Sequence, residues 1–137
     1  HLEALHRFLP SSFPNGWRPT IHPETGVDIR CESATHIFGM TTMNRRQFFG
    51  WINPKPDDLE GDVIITIQGL KPGEYRLIWY DPFTGDPIGN DVECIVDEMK
   101  IVTIKATQQI SATKKQYDPR TRPGCDLAFT ISLVKKK

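Results

Sequence analysis

Residues 70–85 read Leu-Lys-Pro-Gly-Glu-Tyr-Arg-Leu-Ile-Trp-Tyr-Asp-Pro-Phe-Thr-Gly, and they constrain the fold more than any other stretch of the chain. Pro72 presets its own φ and Gly73 tolerates positive φ, so the pair predicts a turn. Side chains of an extended chain alternate between two faces. Tyr75, Leu77 and Trp79 therefore share one face, and Arg76, Ile78 and Tyr80 the other. Asp81-Pro82-Phe83-Thr84-Gly85 reads as a second turn, with Asp81 suited to bond a backbone N–H two residues on. A buried strand between two tight turns is a piece of antiparallel sheet, and it offers no evident catalytic group.

The same alternation recurs along the chain. Val27, Ile29 and Cys31 alternate with Asp28, Arg30 and Glu32, the pattern of a half-buried strand. A strand within residues 36–43, a polar hairpin turn at Met43-Asn44-Arg45-Arg46 and a strand over residues 47–52 apolar on both faces come next. Val63, Ile65 and Ile67 alternate with Ile64, Thr66 and Gln68. Residues 92–96 and 101–104 are two further strands with Asp97-Glu98 as the turn between them. In the last strand Leu127, Phe129, Ile131 and Leu133 point inward, and Ala128, Thr130 and Ser132 outward. A slip of one residue would expose all four inward side chains, so its register should be well specified. About eight strands separated by turn signals predict an all-β, antiparallel β-sandwich.

Eleven prolines and ten glycines punctuate these strands, as turn-rich all-β domains require. A chain of 137 residues makes one domain with a real core. Lys and Arg together number 17, as do Asp and Glu. That balance argues against nucleic acid as a partner, because phosphate binding needs a surplus of basic charge on one face. No apolar run approaches the roughly 20 residues of a membrane-spanning helix. Cys31, Cys94 and Cys125 are widely spaced, with no Cys-x-x-Cys pair, and read as small strand side chains rather than zinc ligands, with one disulfide among them as the alternative in an oxidising compartment.

The start of the chain differs. Leu2, Leu5, Phe8 and Leu9 have helical spacing and Pro10 ends it. Residues 10–19 hold three prolines, which suits an extended connector. Residues 1–22 are thus expected to be a short helix with its connector, and residues 23–137 the sandwich. The helix suits either the end of a preceding domain or a cap on the sandwich. An opening His1 in place of Met points to a fragment, a processed chain or an excised domain.

The motifs for chemistry are sparse. No Gly-x-Ser-x-Gly turn accompanies the four histidines His1, His6, His22 and His36. Asp57, Asp58, Glu60 and Asp62 cluster in a Pro- and Gly-containing stretch that reads as a solvated loop rather than a glycosidase acid pair. Asp81, Asp86 and Asp91 carry oxygens suited to calcium, but their spacing is not that of an EF-hand loop. No phosphate loop or nucleotide fingerprint occurs, so neither metal nor cofactor is expected. Aromatic rings give the better binding argument, since they stack on the C–H faces of sugars. Trp51, Phe83 and Tyr117 are the candidates, with Trp17 and Tyr80 as further rings; Trp17 is alternatively a plug between connector and sandwich, and Trp51 and Trp79 are alternatively core.

The pattern Leu-x-Pro-Gly-x-Tyr-x-(apolar)-x-Trp-Tyr-Asp-Pro-x-Thr-Gly over residues 70–85, with Phe49-Gly50-Trp51-Ile52 upstream, resembles the C-terminal β-sandwich accessory domains of bacterial glycoside hydrolases, some of them grouped as collagen-binding-like domains. The resemblance covers roughly residues 46–89. It implies a non-catalytic module that packs on a preceding catalytic domain, in a secreted, periplasmic or cell-surface protein, with weak polysaccharide binding. An adhesive, protein-binding module is the alternative. It also implies that Pro72, Gly73, Tyr75, Trp79, Asp81, Pro82 and Gly85 are structural, with Trp79 in the core and residues 81–86 a hairpin. The long polar passage over residues 108–124 departs from the pattern.

Overall fold

The computed structural model describes residues 16–20, 26–31, 35–54, 64–81, 85–105 and 127–136. They form nine strands and no helix: β1 (Trp17–Pro19), β2 (Asp28–Cys31), β3 (Thr35–Thr42), β4 (Gln47–Pro54), β5 (Ile64–Gln68), β6 (Gly73–Tyr80), β7 (Pro87–Val96), β8 (Ile101–Lys105) and β9 (Leu127–Lys136). One antiparallel sheet has the order β1-β3-β4-β9-β6-β7, and the other β2-β5-β8. The protein is all-β, with two antiparallel sheets burying one core between them, as a β-sandwich does. The helix expected over residues 1–9 and most of the connector lie outside the described residues. Trp17, Arg18 and Pro19, expected in that connector, instead form edge strand β1 against β3. An edge strand tolerates proline because one side of its ladder is open.

The register explains the core. Rows of paired residues cross the large sheet with their side chains turned toward the small one. One row is Ile37, Ile52 and Leu127; the next is Gly39, Gly50, Phe129, Trp79 and Ile88; a third is Thr41, Phe48, Ile131, Leu77 and Val92. Facing them from the small sheet are Ile65 and Ile67 of β5 and Val102 and Ile104 of β8, with Ile29 and Cys31 of β2 at the margin. Each such buried side chain contributes about 1.5–3 kcal/mol. The predicted inward face of β9 is therefore correct for Leu127, Phe129 and Ile131, all fully buried, and Leu133 packs against the same core.

The two glycines of the second row make room for rings. A methyl on Gly39 would meet Cζ of Phe48 at 2.5 Å, and one on Gly50 would run into the ring of Phe129. The rings thus lie over glycine positions of neighbouring strands. Phe129 packs between Phe48 and Trp79, with centroid separations of 5.9 and 5.2 Å. Thr41 is buried among these groups, and its hydroxyl donates to the Gln47 carbonyl at 3.1 Å.

Hydrogen bonds fix the turns. The Tyr75 hydroxyl donates to the Lys71 carbonyl four residues upstream at 2.5 Å, with the Arg45 carbonyl at 3.4 Å. The Lys71 N–H also donates to the Arg45 carbonyl. This is the tyrosine corner of β-sandwich domains, in which a strand-start tyrosine reaches back to the preceding backbone. It gives the Pro72-Gly73-x-Tyr75 motif its physical reason and ties the 43–46 turn to the arch before β6. In that turn the Asn44 Oδ1 accepts from the Arg46 N–H at 3.1 Å.

After β6, the Gly85 N–H donates to the Asp81 carbonyl and the Asp81 N–H to the Asp86 carbonyl, which closes the expected hairpin. In β7, Gly89, Asn90 and Asp91 together oppose Ile78 alone, because Leu77 pairs with Val92 and Trp79 with Ile88. Gly89 has a φ of 70°, which a bulge of this kind favours in glycine. The Asp97-Glu98 turn does not join two strands of one sheet. It carries the chain from β7 in the large sheet to β8 in the small one. Asp97 holds it, accepting from the Lys100 N–H through its carbonyl and from the Ile101 N–H through its side chain.

Candidate functional site

The large sheet has a second, outward face, and its side chains are not those of an ordinary solvated sheet. Trp51 of β4 stands in one row with Phe38 of β3, Ala128 of β9 and Tyr80 of β6. The adjacent row carries Pro19, Met40, Phe49, Thr130 and Ile78. Trp17 of β1 sits at the margin. Trp17, Phe49 and Ala128 are buried and form a small cluster, against which Met40, Trp51 and Tyr80 pack. Phe49 and Trp51 meet edge to face at 6.3 Å. Phe38 remains 48 % exposed.

This face follows from β3 and β4 being apolar on both sides. Phe48 and Ile52 point into the core, and Phe49 and Trp51 consequently point out. Toward β7 the face turns polar: Arg76 pairs with Asp91 at 3.4 Å, both exposed, and Glu93 stands opposite Arg76. Burial pushes the Tyr80 phenol above its ordinary value, while a hydrogen bond with Thr130 pulls the other way and the nearby Asp91 adds to the rise. Tyr80 is thus a neutral hydroxyl at the polar end of an aromatic strip. A surface of this kind stacks against apolar C–H faces and offers hydrogen bonds at one end.

Of the three sequence candidates, Trp51 lies on this face, half-buried rather than in the core. Phe83 and Tyr117 lie outside the described residues, as do Pro82, Cys125 and the acidic residues Asp57, Asp58, Glu60 and Asp62. Pro72, Gly73, Tyr75, Asp81 and Gly85 shape the arch, strand and hairpin around β6, and Trp79 is core. The outward reading of Ala128 is right for its face but not for its exposure: it is fully buried, between Trp51 and Tyr80 in the same row. Phe38 and Met40 are not among the sequence candidates for this face. The parity of β3 carries the signal, since Phe38 and Met40 share one face while Gly39 and Thr41 share the other.

Among the described residues no group of three or more His, Cys, Asp or Glu is placed to share a metal ion. Cys94 is a free thiol. Burial raises the Cys94 thiol to about 11, so it is protonated and unreactive at neutral pH. Among the described residues no helix is long and apolar enough to cross a membrane. The chain matches no family model, no curated protein and no solved structure.

Proposed function

We propose that this chain is a non-catalytic accessory β-sandwich module of a secreted glycoside hydrolase, packed on a preceding catalytic domain and making weak glycan contact through the strip around Trp51. The observation that carries the reading is the second apolar cluster of Trp17, Phe49 and Ala128 with Met40, Trp51 and Tyr80. An antiparallel sheet with one solvated face alternates apolar-in and polar-out. A sheet that spends aromatic side chains on its outward face does so where that face meets something. The motif over residues 70–85 supports the same reading through its resemblance to such modules.

Two measurements test it. The first is the full gene product: a catalytic domain ending where residue 1 begins supports the proposal, and a signal peptide alone at that place overturns it. The second is affinity electrophoresis of the chain in gels containing soluble polysaccharides, with Trp51→Ala beside the parent. A stacked ring contributes about 0.5–1.5 kcal/mol, so the variant should lose roughly threefold to tenfold in affinity. Turnover of aryl glycosides by the chain alone would sink the non-catalytic assignment.

A further inference from the structure

The second opportunity lies on an edge rather than a face, and it stands independently of the glycan reading. β7 closes the large sheet, and among the described residues it pairs only with β6. Natural edge strands are guarded by proline, lysine, bulges or shortness. The first half of β7 has such guards, with Pro87 at its start and the Gly89–Asn90–Asp91 bulge. The second half, Val92-Glu93-Cys94-Ile95-Val96, has only the charge of Glu93. It runs in regular register against β6, is rich in β-branched residues, and leaves Val92 44 % and Ile95 61 % exposed. Val92 turns toward the core side, opposite Leu77, yet remains open.

From these observations we propose that residues 92–96 accept an extended segment of another protein as a seventh strand of the large sheet, and that this segment alternates basic and apolar residues. The charge fixes the first half of that description. Asp91, Glu93, Asp97 and Glu98 lie along this edge; no Lys or Arg occurs between residues 87 and 99, and across the ladder Arg76 of β6 offsets one of the four acids. A strand laid beside β7 places one set of side chains next to outward-facing Glu93 and Ile95, with Asp91 and Asp97 beyond them, and the other next to Val92, Cys94 and Val96. Opposite charges across a pair of strands stabilise and like charges destabilise. The incoming strand therefore carries Lys or Arg on the Glu93 face and apolar residues on the Val92 face.

The same rule argues against a second copy adding its own β7. Antiparallel self-pairing that keeps the two inner faces together joins even positions to even and odd to odd. Every such register centred on residues 91 to 95 sets acid against acid: Asp91 on itself, on Glu93 or on Asp97, or Glu93 on itself or on Asp97. Strand addition draws its affinity from main-chain hydrogen bonds and its selectivity from alternate side chains, so this edge selects by charge.

The test uses two labelled ten-residue peptides, one alternating Lys and Val and the other Glu and Val, titrated against the chain by fluorescence anisotropy. Hydrogen exchange is followed at the amides of residues 92–96. The Lys-Val peptide should bind, weaken as salt is raised, and slow exchange at 92–96, while the Glu-Val peptide should not. In Glu93→Lys, an exposed change, the Lys-Val peptide should weaken about tenfold and the preference should invert. Failure of the Lys-Val peptide to slow exchange at 92–96, or equal binding of both peptides, overturns the proposal. So does a dimer in solution that already protects those amides without peptide.

Discussion

Gly50 offers the sharpest test of how the core is built. Its partner across the ladder is Phe129, whose ring lies over the glycine. A methyl group there would stand 2.9 Å from Cε2 of Phe129 and closer still to Cε1 and Cζ. Ordinary carbon contacts are at about 3.5–4.0 Å, so the ring must move by an ångström or more. It has nowhere to go, because Phe129 is fully buried with Trp79 at 5.2 Å and Phe48 at 5.9 Å. Overpacking of this kind costs about 1–3 kcal/mol, and replacing glycine by alanine returns about 0.4–1 kcal/mol through the unfolded chain. With approaches this short to Cε1 and Cζ the overpacking cost falls at the upper end of its range, so Gly50→Ala should be destabilised by about 2 kcal/mol net. That corresponds to a fall in Tm of very roughly 6–10 °C for a domain of this size. Urea denaturation with an unchanged slope is the assay. Phe129→Leu removes the ring, so Gly50→Ala in that background should cost much less than in the parent. An unchanged or raised midpoint for Gly50→Ala, or two strictly additive substitutions, would refute the ring-over-glycine account.

Tyr75→Phe deletes the donor to the Lys71 carbonyl, and should cost about 1–3 kcal/mol in urea denaturation. Phe129→Ala should lose about 3–5 kcal/mol, whereas Ser132→Ala on the outward face should stay within about 0.5 kcal/mol; equal midpoints would overturn the assignment of faces on β9. Stability should also fall in alkali. Burial holds Cys94 protonated up to about 11 and Tyr75 up to about 12, against ordinary values of 9.0 and 10.0. The unfolded chain thus sheds these protons first, and thermal midpoints should decline as pH rises from about 9 and level off only above the folded values. Cys94→Ser and Tyr75→Phe should each flatten part of that decline, and a parent profile flat between pH 8 and 11 would contradict the burial of both groups.

The sandwich is legible in the sequence wherever alternation is clean. β5, β6 and β9 show this best: Ile65 and Ile67, then Tyr75, Leu77 and Trp79, share a face as expected, and that face is buried, while Leu127, Phe129 and Ile131 turn inward as expected. Periodicity fails where both faces are apolar. In β4 it could not say which of Phe48, Phe49 and Trp51 faces the core, because only the register against β3 and β9 decides that. Pairing across the molecule is equally silent in the local pattern. The polar pair Asp97-Glu98 signals a turn, but nothing in it reveals that the chain changes sheets there. The bulge in β7 hides for the same reason: the role of Gly89 appears only when Ile78 is found opposite three residues. The Pro72-Gly73-x-Tyr75 motif was readable as a turn, yet the tyrosine's partner, Lys71, is a backbone atom that no side-chain pattern announces.

The position of β9 has a kinetic meaning. It is the last of the nine strands in chain order, yet it lies in the middle of the large sheet, between β4 and β6. Until it docks, β1, β3 and β4 form one fragment and β6 and β7 another, with no backbone ladder joining them. A nascent chain leaving the ribosome must therefore hold two half-sheets with bare edges until residues 127–136 emerge and weld them. Loop closure over about 80 residues precedes that step, which makes it slow. Chains that stop short of this strand leave an open slot between β4 and β6, into which a synthetic copy of the missing segment could be threaded.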